Sequence, residues 1–319
     1  VYKRQLLALI VGVTRVVLGV LRLGPVAYLM SEPVLLGFTS AAAVLILASQ
    51  LPVIFDVTAE GDGVLARGWW TLTHPGQWEP AALALAAITL VLMLLGPRIH
   101  RLFPGVLAAV ALGTILSAAG GYDGSTIGEL PGGFLSLNGT FPWGETAGLL
   151  LPGVVIALVG FAEPASIART FATADRQHWD ASRELVSQGV ANLASAVSGA
   201  LPVGGSFSRS ALNRLAGAST RWSGAITGLL LLLFLPFSPV LEDLPRAILG
   251  AIVFGAGYKL VQSRSMVDLW SQSPPQAALA WTTFGVTLAM APRIDLGILA
   301  GVGLAILPFG PGWMTAVLF

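Results

Sequence analysis

The stretch that decides the fold is PVGGSFSRSA at residues 202–211, which interrupts an otherwise apolar region of the chain. Its paired glycines, Gly204 and Gly205, end the preceding helix, and its serines supply N-cap oxygens for a short helix predicted over residues 206–216. Eleven residues rise by about 16 Å, roughly half the thickness of a bilayer's hydrocarbon core. The stretch therefore predicts a helix that begins in the middle of a membrane.

Such a helix directs its unpaired N–H groups and the positive end of its dipole into a cavity, which favours an anion. Arg209 in the first turn adds a full positive charge that an anion or a carboxylate has to balance. The alternative interpretation is a capped helix end whose arginine extends toward the membrane surface. The pattern alone leaves both interpretations open.

The composition places the rest of the chain in a membrane. Of the 319 residues, 55% are hydrophobic and 10% are charged, with a mean hydropathy of +0.80, whereas about a quarter of an ordinary soluble domain is charged. The net charge of +1 gives no field to attract nucleic acid. The chain contains no cysteine, its three histidines lack metal-ligand spacing, and no paired acids or Ser/Lys set lies in an apolar run. We therefore expect no enzyme, no metal and no cofactor.

Apolar runs predict eleven helices, over residues 6–29, 34–52, 81–96, 104–119, 147–172, 184–200, 206–216, 223–241, 245–262, 277–291 and 295–309. Several are short, which is typical of packed, tilted or broken membrane helices. Lysines and arginines cluster near residues 98–101, 169–183, 214–221 and 259–264, and these connections are predicted to face the cytoplasm. Because the sequence opens within a helix at Val1 and ends after one at Phe319, we expect a fragment of a longer protein.

Glu163 is the acidic residue that lies well inside a long apolar run. Pro164 follows it, and because proline has no N–H, the carbonyl of Gly160 loses its helical donor. A carboxylate beside a freed carbonyl can bind a cation or a proton, and burial would raise the pKa of such a carboxylate toward neutral pH. We expect Glu163 to bind a coupling ion or substrate, with a structural pairing to a neighbouring helix as the alternative.

Three further polar residues fall within predicted helices. Arg15 and Arg22 are seven residues apart, so they are predicted to share one face of the first helix and to pair with acids or lipid headgroups. Asn192 must find hydrogen bonds if it is buried, and its predicted role is helix packing.

Several stretches resemble, in the same order along the chain, motifs of the sulfate permease (SulP) family of anion transporters. Residues 31–42 (SEPVLLGFTSAA) resemble the start of the fifth helix of that family, and residues 163–168 (EPASIA) and 184–192 resemble the eighth and ninth. The most specific match is GSFSRSALN at residues 205–213, which is similar to the tenth helix. DLGILAGVG at residues 295–303 is similar to the last one.

The resemblance implies an all-α polytopic membrane protein built from two inverted repeats of seven segments, with core and gate domains. Mapped in this way, the eleven predicted segments would be helices four to fourteen, so we expect an incomplete first repeat and no cytoplasmic STAS domain in this sequence. Residues 1–146 would form the remainder of the first repeat, with about four helices. Residues 147–319 would form the second repeat, with about seven helices including the half-helix 206–216.

The resemblance also assigns the site residues. In the family the anion lies between the N-terminal ends of the third and tenth helices. This implies that Gly205, Ser206, Phe207, Ser208 and Arg209 bind the substrate and that Glu163 is a core-domain carboxylate for coupling.

The leading hypothesis is a secondary active carrier of small inorganic or carboxylate anions such as sulfate, bicarbonate or dicarboxylates, coupled to protons or sodium and working by alternating access. The alternatives are a nucleobase carrier of the same fold and an anion channel or voltage-sensing motor. Nucleobase carriers typically have a carboxylate on the tenth segment, where this chain has Arg209. The expected setting is the bacterial inner (plasma) membrane, with the lipid bilayer and a second copy of the chain, in a homodimer, as partners.

Overall fold

The fold is taken from a computed structural model of the chain. The structure describes residues 2–24, 32–100, 103–130, 133–134, 137, 139–206, 209–210, 213–214, 217–291, 296–297, 300–301 and 303–304. Within these residues the chain is helical and has no β-strand, and an isolated antiparallel bridge joins Thr126 to Pro245.

Eleven α-helices have both ends in the described residues: α1 (Tyr2–Val20), α2 (Glu32–Ile54), α3 (Val64–Thr73), α4 (Pro80–Ile99), α5 (Gly105–Gly120), α6 (Thr146–Ala174), α7 (Ala181–Val197), α8 (Trp222–Phe234), α9 (Arg246–Gly257), α10 (Ser263–Gln272) and α11 (Pro274–Ala289). Short 3-10 helices extend α8 over Leu235–Leu241 and α9 over Tyr258–Leu260. Residues 209–210 and 213–214 are also helical, within the predicted half-helix. The predicted segment 295–309 lies largely outside the described residues.

Two helices occur where the sequence predicted connections. They are α3 and α10, which have ten residues each and contain charged residues and tryptophans. Both are amphipathic rather than uniformly apolar, and each buries a narrow stripe, including Thr71 in α3 and Met266 in α10. A search for long apolar runs therefore misses them.

Four helical stretches are long and apolar enough to cross a membrane, judged by length and composition among the described residues. They are Pro33–Ile54, Pro80–Ile99, Trp143–Ala174 and Trp222–Leu241, each with at least 20 residues. Much of their surface is apolar and exposed; in α8 none of the residues is buried. An exposed surface of this kind suits a lipid environment rather than water.

The chain folds as two compact units, and each is assembled from separate parts of the sequence. The first contains the described residues of Val1–Ser31 and Phe134–Leu233, and the second those of Glu32–Gly133 and Phe234–Gly310. Each unit takes segments from both sides of the predicted repeat boundary at residues 146/147, as expected when core and gate domains are both shared between two repeats. The repeat boundary itself stays a prediction.

In the second unit, α2 packs against α3, α9 and α11. Small residues allow these helices to approach closely; Gly37 of α2 lies against the carbonyl oxygen of Ala280 in α11, with no room for a side chain. A buried cluster joins the end of α2 to α4 and α9 through Ile54, Ala82, Ala86, Ala247 and Ala251. Such small-residue contacts are the usual means of packing helices in a membrane.

In the first unit, the main contact is between α1 and α7, and it is lined by glycines. A Cβ atom added at Gly189 of α7 would lie 2.8 Å from the backbone nitrogen of Val16 and 2.9 Å from the carbonyl oxygen of Gly12. Because backbone atoms cannot move aside as a flexible side chain can, Gly189 sets the distance between the two helices.

Replacing Gly189 with alanine should lower the free energy of unfolding by about 1–3 kcal/mol, because the added methyl group forces α1 and α7 apart. The matched control is Gly228→Ala in α8, where no atom lies within 4 Å of the added carbon. That change should raise the free energy of unfolding by up to about 1 kcal/mol, since alanine is the better helix former. Thermal unfolding of the two purified variants would test this, and the same sign of effect in both would contradict it.

Candidate anion-binding site

The segment before the short helix is fixed by Arg15, which lies in the middle of α1 and is 1% exposed. Its guanidinium donates to the carbonyl oxygen of Ala157 at 3.0 Å and to that of Val203 at 3.2 Å, with a longer contact to Ile156 at 3.5 Å. One buried cation therefore joins α1, α6 and the 198–206 segment of the first unit.

The predictions for the two arginines of the first helix were wrong in part. Arg15 bonds to backbone carbonyls, whereas an acid or a lipid headgroup was predicted as its partner. Arg22 does not share a helical face with Arg15 because α1 ends at Val20, and Arg22 has a left-handed backbone with φ of 57°.

Asn192 of α7 holds the same segment from the other side. Its side chain is fully buried, its Nδ2 donates to the carbonyl oxygen of Val203 at 2.9 Å, and its Oδ1 accepts from the N–H of Val203 at 2.9 Å. The amide thus pairs with both polar groups of one peptide residue, as a neighbouring strand would. The role predicted for Asn192 was packing between helices, but in the structure it positions a loop.

Gly204 and Gly205 bring the chain against α6. A Cβ atom at Gly205 would lie 3.1 Å from Cβ and Cγ of Pro164, and one at Gly204 would lie 3.5 Å from the carbonyl oxygen of Gly160. The segment before the short helix therefore passes along the turn of α6 that contains Gly160, Glu163 and Pro164. The sequence motifs at 163–168 and 205–213 meet at this point.

Ser206 precedes the helical residues 209–210 of the short helix. The N–H of Ser210 donates to the carbonyl oxygen of Ser206 at 3.0 Å, which places Ser206 at the N-cap position. Arg209, in the first turn, is exposed, and no described carboxylate lies within ion-pair distance of it. Phe207 and Ser208, the two other predicted binding residues, lie outside the described residues.

Glu163 lies in the middle of α6, which continues as a helix through Pro164 to Ala174. Its side chain is exposed among the described residues, so the burial assumed in the sequence analysis is not found. Exposure beside the 204–206 segment leaves Glu163 accessible to a small ion.

An ion pair fixes the far end of the short helix. Arg214 forms two bonds to the carboxylate of Asp175, at 2.8 and 2.6 Å, and its guanidinium lies 4.6 Å from the centre of the Phe171 ring. The Arg214 guanidinium holds the pKa of the Asp175 carboxyl below its usual range. The bond is therefore present at neutral pH and is lost as the pH falls through that lowered pKa. This ion pair was not among the contacts predicted from the sequence.

The described residues bring together no group of three histidines or acids that could hold a metal ion. The polar groups of this region are the start of the short helix, Arg209 in its first turn and Glu163 of α6, which precedes the proline against which Gly205 packs. The first two favour an anion, and the third favours a proton or a cation.

Long apolar helices with a short helix beside them that follows a glycine–serine turn are typical of membrane transport proteins. The chain belongs to the Sulfate permease family, whose family profile matches residues 4–283. A protein of Arabidopsis thaliana named "Probable sulfate transporter 4.2" is 33% identical over 328 residues, covering 94% of this chain and 46% of its own length.

Two solved structures have the same fold. Murine Solute Carrier 26 family member A9, an anion transporter in the inward-facing state, aligns with a TM-score of 0.86 and 21% identity over 95% of this chain and 51% of its own. The transmembrane domain of the cyanobacterial bicarbonate transporter BicA aligns with a TM-score of 0.75 and 23% identity over 94% of this chain and 75% of its own. The predicted all-α fold with two inverted repeats, core and gate is thereby confirmed.

The chain spans about half the length of the curated relatives that it matches, as the 46% coverage of the Arabidopsis protein shows. Family and fold are established for this chain.

Proposed function

We propose that this chain is the transport domain of a secondary active carrier of small anions, of the sulfate, bicarbonate or dicarboxylate class. The observation that supports this most strongly is the start of the short helix at Ser206, with Arg209 exposed in its first turn and no described carboxylate to neutralise it. The family membership and the names of its relatives, a sulfate transporter and a bicarbonate transporter, agree with it.

The anion would bind at the first turn of the short helix. Backbone N–H groups at the start of the short helix would supply donors without charge, and Arg209 would supply the countercharge. The side chains of Ser206, Phe207 and Ser208 complete the proposed site. Since the preceding residue Val203 is held by Arg15 and Asn192, the donors are positioned before the anion arrives, which reduces the ordering cost of binding.

Transport would require the anion site to open alternately to the two sides of the membrane. The two compact units are each built from discontinuous segments, a division that suits movement of one unit against the other. We further propose the repeat boundary at residues 146/147, a multi-pass location in the bacterial inner membrane and assembly as a homodimer.

Coupling is assigned to Glu163. A proton or sodium ion at this carboxylate would neutralise a negative charge close to the arriving anion, so the two would bind together more favourably than either alone. A carrier that binds the coupling ion and the anion in the same conformational state can use the gradient of the ion to transport the anion.

Replacing Glu163 with glutamine should abolish the dependence of anion uptake on a proton or sodium gradient, because glutamine neither titrates nor attracts a cation. Uptake of radiolabelled sulfate into proteoliposomes with and without each gradient measures this. The control is Glu60→Gln, an exposed acid in a connection of the second unit, which should keep the gradient dependence. Full gradient-driven uptake by the Glu163 variant would remove Glu163 from coupling, whereas flux that never saturates in the unaltered protein would favour a channel.

A further inference from the structure

Arg22 occupies a backbone position at the end of α1 that normally belongs to glycine. The N–H of Arg22 bonds to the carbonyl oxygen of Gly19 at 3.0 Å, and that of Leu23 bonds to Leu18 at 2.8 Å. These two bonds form a Schellman C-cap, with Arg22 in the left-handed conformation at φ of 57°. A side chain is unfavourable there because its Cβ atom crowds the backbone.

The same chain uses glycine for this position elsewhere. Gly199 after α7 and Gly217 after the short helix have φ of 76° and 91° and make the same pair of bonds. Arginine occupies the corresponding position at residue 22, after α1, and at residue 176, after α6, where φ is 54°. An unfavourable conformation retained in this way suggests a function for the side chain.

The Arg22 side chain borders a cavity of about 550 Å³ between the end of α1 and the start of α7. Asp180, Ser182 and Arg183 form part of the opposite wall. The N–H of Gly24 donates to Oγ of Ser182 at 3.2 Å, which ties the two walls together. The volume lies within the range of small-molecule sites.

The charges around this cavity leave one positive charge unbalanced. Asp180 caps α7, accepting from the N–H groups of Ser182 at 2.8 Å and Arg183 at 3.3 Å. These bonds lower the pKa of Asp180, so its carboxylate is ionised at neutral pH. Its ion pair with the Arg183 guanidinium is long, at 3.6 Å, and exposed. Arg22 and Arg183 carry two positive charges and Asp180 carries one negative charge, so one monovalent anion would balance the charge of the cavity.

The cavity lies at the end of a membrane-crossing stretch. The candidate membrane span Trp143–Ala174, identified by length and composition, ends six residues before Asp180, so we place the wall formed by α7 near the membrane surface. Phosphodiester groups of phospholipids lie at this depth, and arginines extend toward them.

We propose that this cavity binds the phosphate group of an anionic phospholipid, held between Arg22 and Arg183. The phosphodiester of phosphatidylglycerol carries the one negative charge that the cavity lacks. Binding would fix the end of α1 to the start of α7. It would therefore stabilise the first unit in membranes that contain anionic lipid.

The test measures thermal unfolding of the protein in phosphatidylcholine vesicles with increasing phosphatidylglycerol. The unfolding temperature of the unaltered protein should rise with phosphatidylglycerol and saturate. Arg22→Gly removes one guanidinium and relieves the backbone, so this variant should fold at least as well but need about tenfold more phosphatidylglycerol for half of the effect. Arg183→Gln should likewise raise the amount of phosphatidylglycerol needed for half of the effect.

The matched control is Arg176→Gly, which removes the same charge from the same backbone conformation but does not border the cavity. It should keep the response to phosphatidylglycerol. The proposal is overturned if Arg22→Gly responds like the unaltered protein, if both glycine variants lose the response equally, or if the unaltered protein does not respond. Equal protection by inorganic phosphate in pure phosphatidylcholine would indicate a site for free anions and would also overturn it.

Discussion

Sulfate binding should fall by about 10- to 100-fold when Arg209 is replaced by alanine. A hydrogen-bonded charge pair contributes about 1.5–3 kcal/mol, and each 1.4 kcal/mol is a factor of about ten in affinity. Arg209 supplies the full positive charge in the first turn of the short helix, and no described carboxylate competes for it. Without it, the helix N–H groups would face the anion with partial charges alone.

Isothermal titration or a scintillation binding assay on the purified protein measures this effect. The control is Arg264→Ala, which removes an exposed arginine from α10 in the second unit and should leave affinity unchanged. Thermal unfolding of both variants establishes that the fold is intact. Wild-type affinity in a folded Arg209→Ala variant would exclude Arg209 from the site.

The second large effect is expected at Asn192. Its replacement by leucine should lower the free energy of unfolding by about 2–4 kcal/mol and weaken anion binding as well. Leucine keeps the volume but removes both bonds to Val203, leaving the partly buried N–H of Val203 without its Asn192 partner. Since Val203 precedes the donors of the short helix, releasing it should also increase the ordering cost of anion binding.

Gln188→Leu is the appropriate control for this change. Gln188 lies one turn earlier in α7, and its side-chain amide bonds to Glu184 of the same helix. Its replacement should cost less than about 1 kcal/mol and leave anion affinity unchanged. Denaturant unfolding and sulfate binding of the two variants would distinguish them. Equal losses of stability in the two variants would show that the bonds from Asn192 to Val203 do not stabilise the fold. Unchanged anion affinity in the Asn192 variant would show that the position of Val203 does not affect anion binding.

The long apolar helices were predictable because lipid-exposed segments must satisfy their backbone internally and present apolar side chains. The predicted segments 81–96, 104–119 and 147–172 differ by a few residues from α4, α5 and α6. The end of the first segment was predicted too late because Leu21 and Leu23 continue the apolar pattern beyond Val20, where α1 ends in the Schellman cap with Arg22. Apolar residues alone do not mark such a cap.

The hydrogen bonds by which Arg15 positions the segment before the short helix could not be predicted from the sequence pattern. Arg15 and Ala157 are separated by 142 residues, and Arg15 and Val203 by 188, so only the packing of α1 against α6 and α7 brings them together. A buried arginine in a helix suggests an acidic partner, yet carbonyl oxygens have a second lone pair and can serve instead. The sequence analysis therefore identified Arg15 as a polar residue needing partners but not the partners themselves.

Some features of the site residues could be predicted from local sequence, and others depend on tertiary packing. Ser206 as an N-cap and Arg209 in the first turn follow from local sequence rules, and the structure agrees in the bond from Ser210 to Ser206. The exposure of Glu163 could not be predicted from the sequence. The hydropathy of the surrounding residues identifies the helix, but it does not show which groups surround the side chain. The contact of Gly205 with Pro164 is tertiary and has no sequence signal beyond the glycine itself.

The most direct test of the account is uptake of radiolabelled sulfate by liposomes containing the protein, with unlabelled bicarbonate, a dicarboxylate or uracil as competitors. The account predicts saturable uptake that at least one of the competing anions reduces and uracil does not, and that is lost in Arg209→Ala but not in Arg264→Ala. Uptake no greater than in protein-free liposomes by correctly folded protein, or transport of uracil in place of anions, would contradict it.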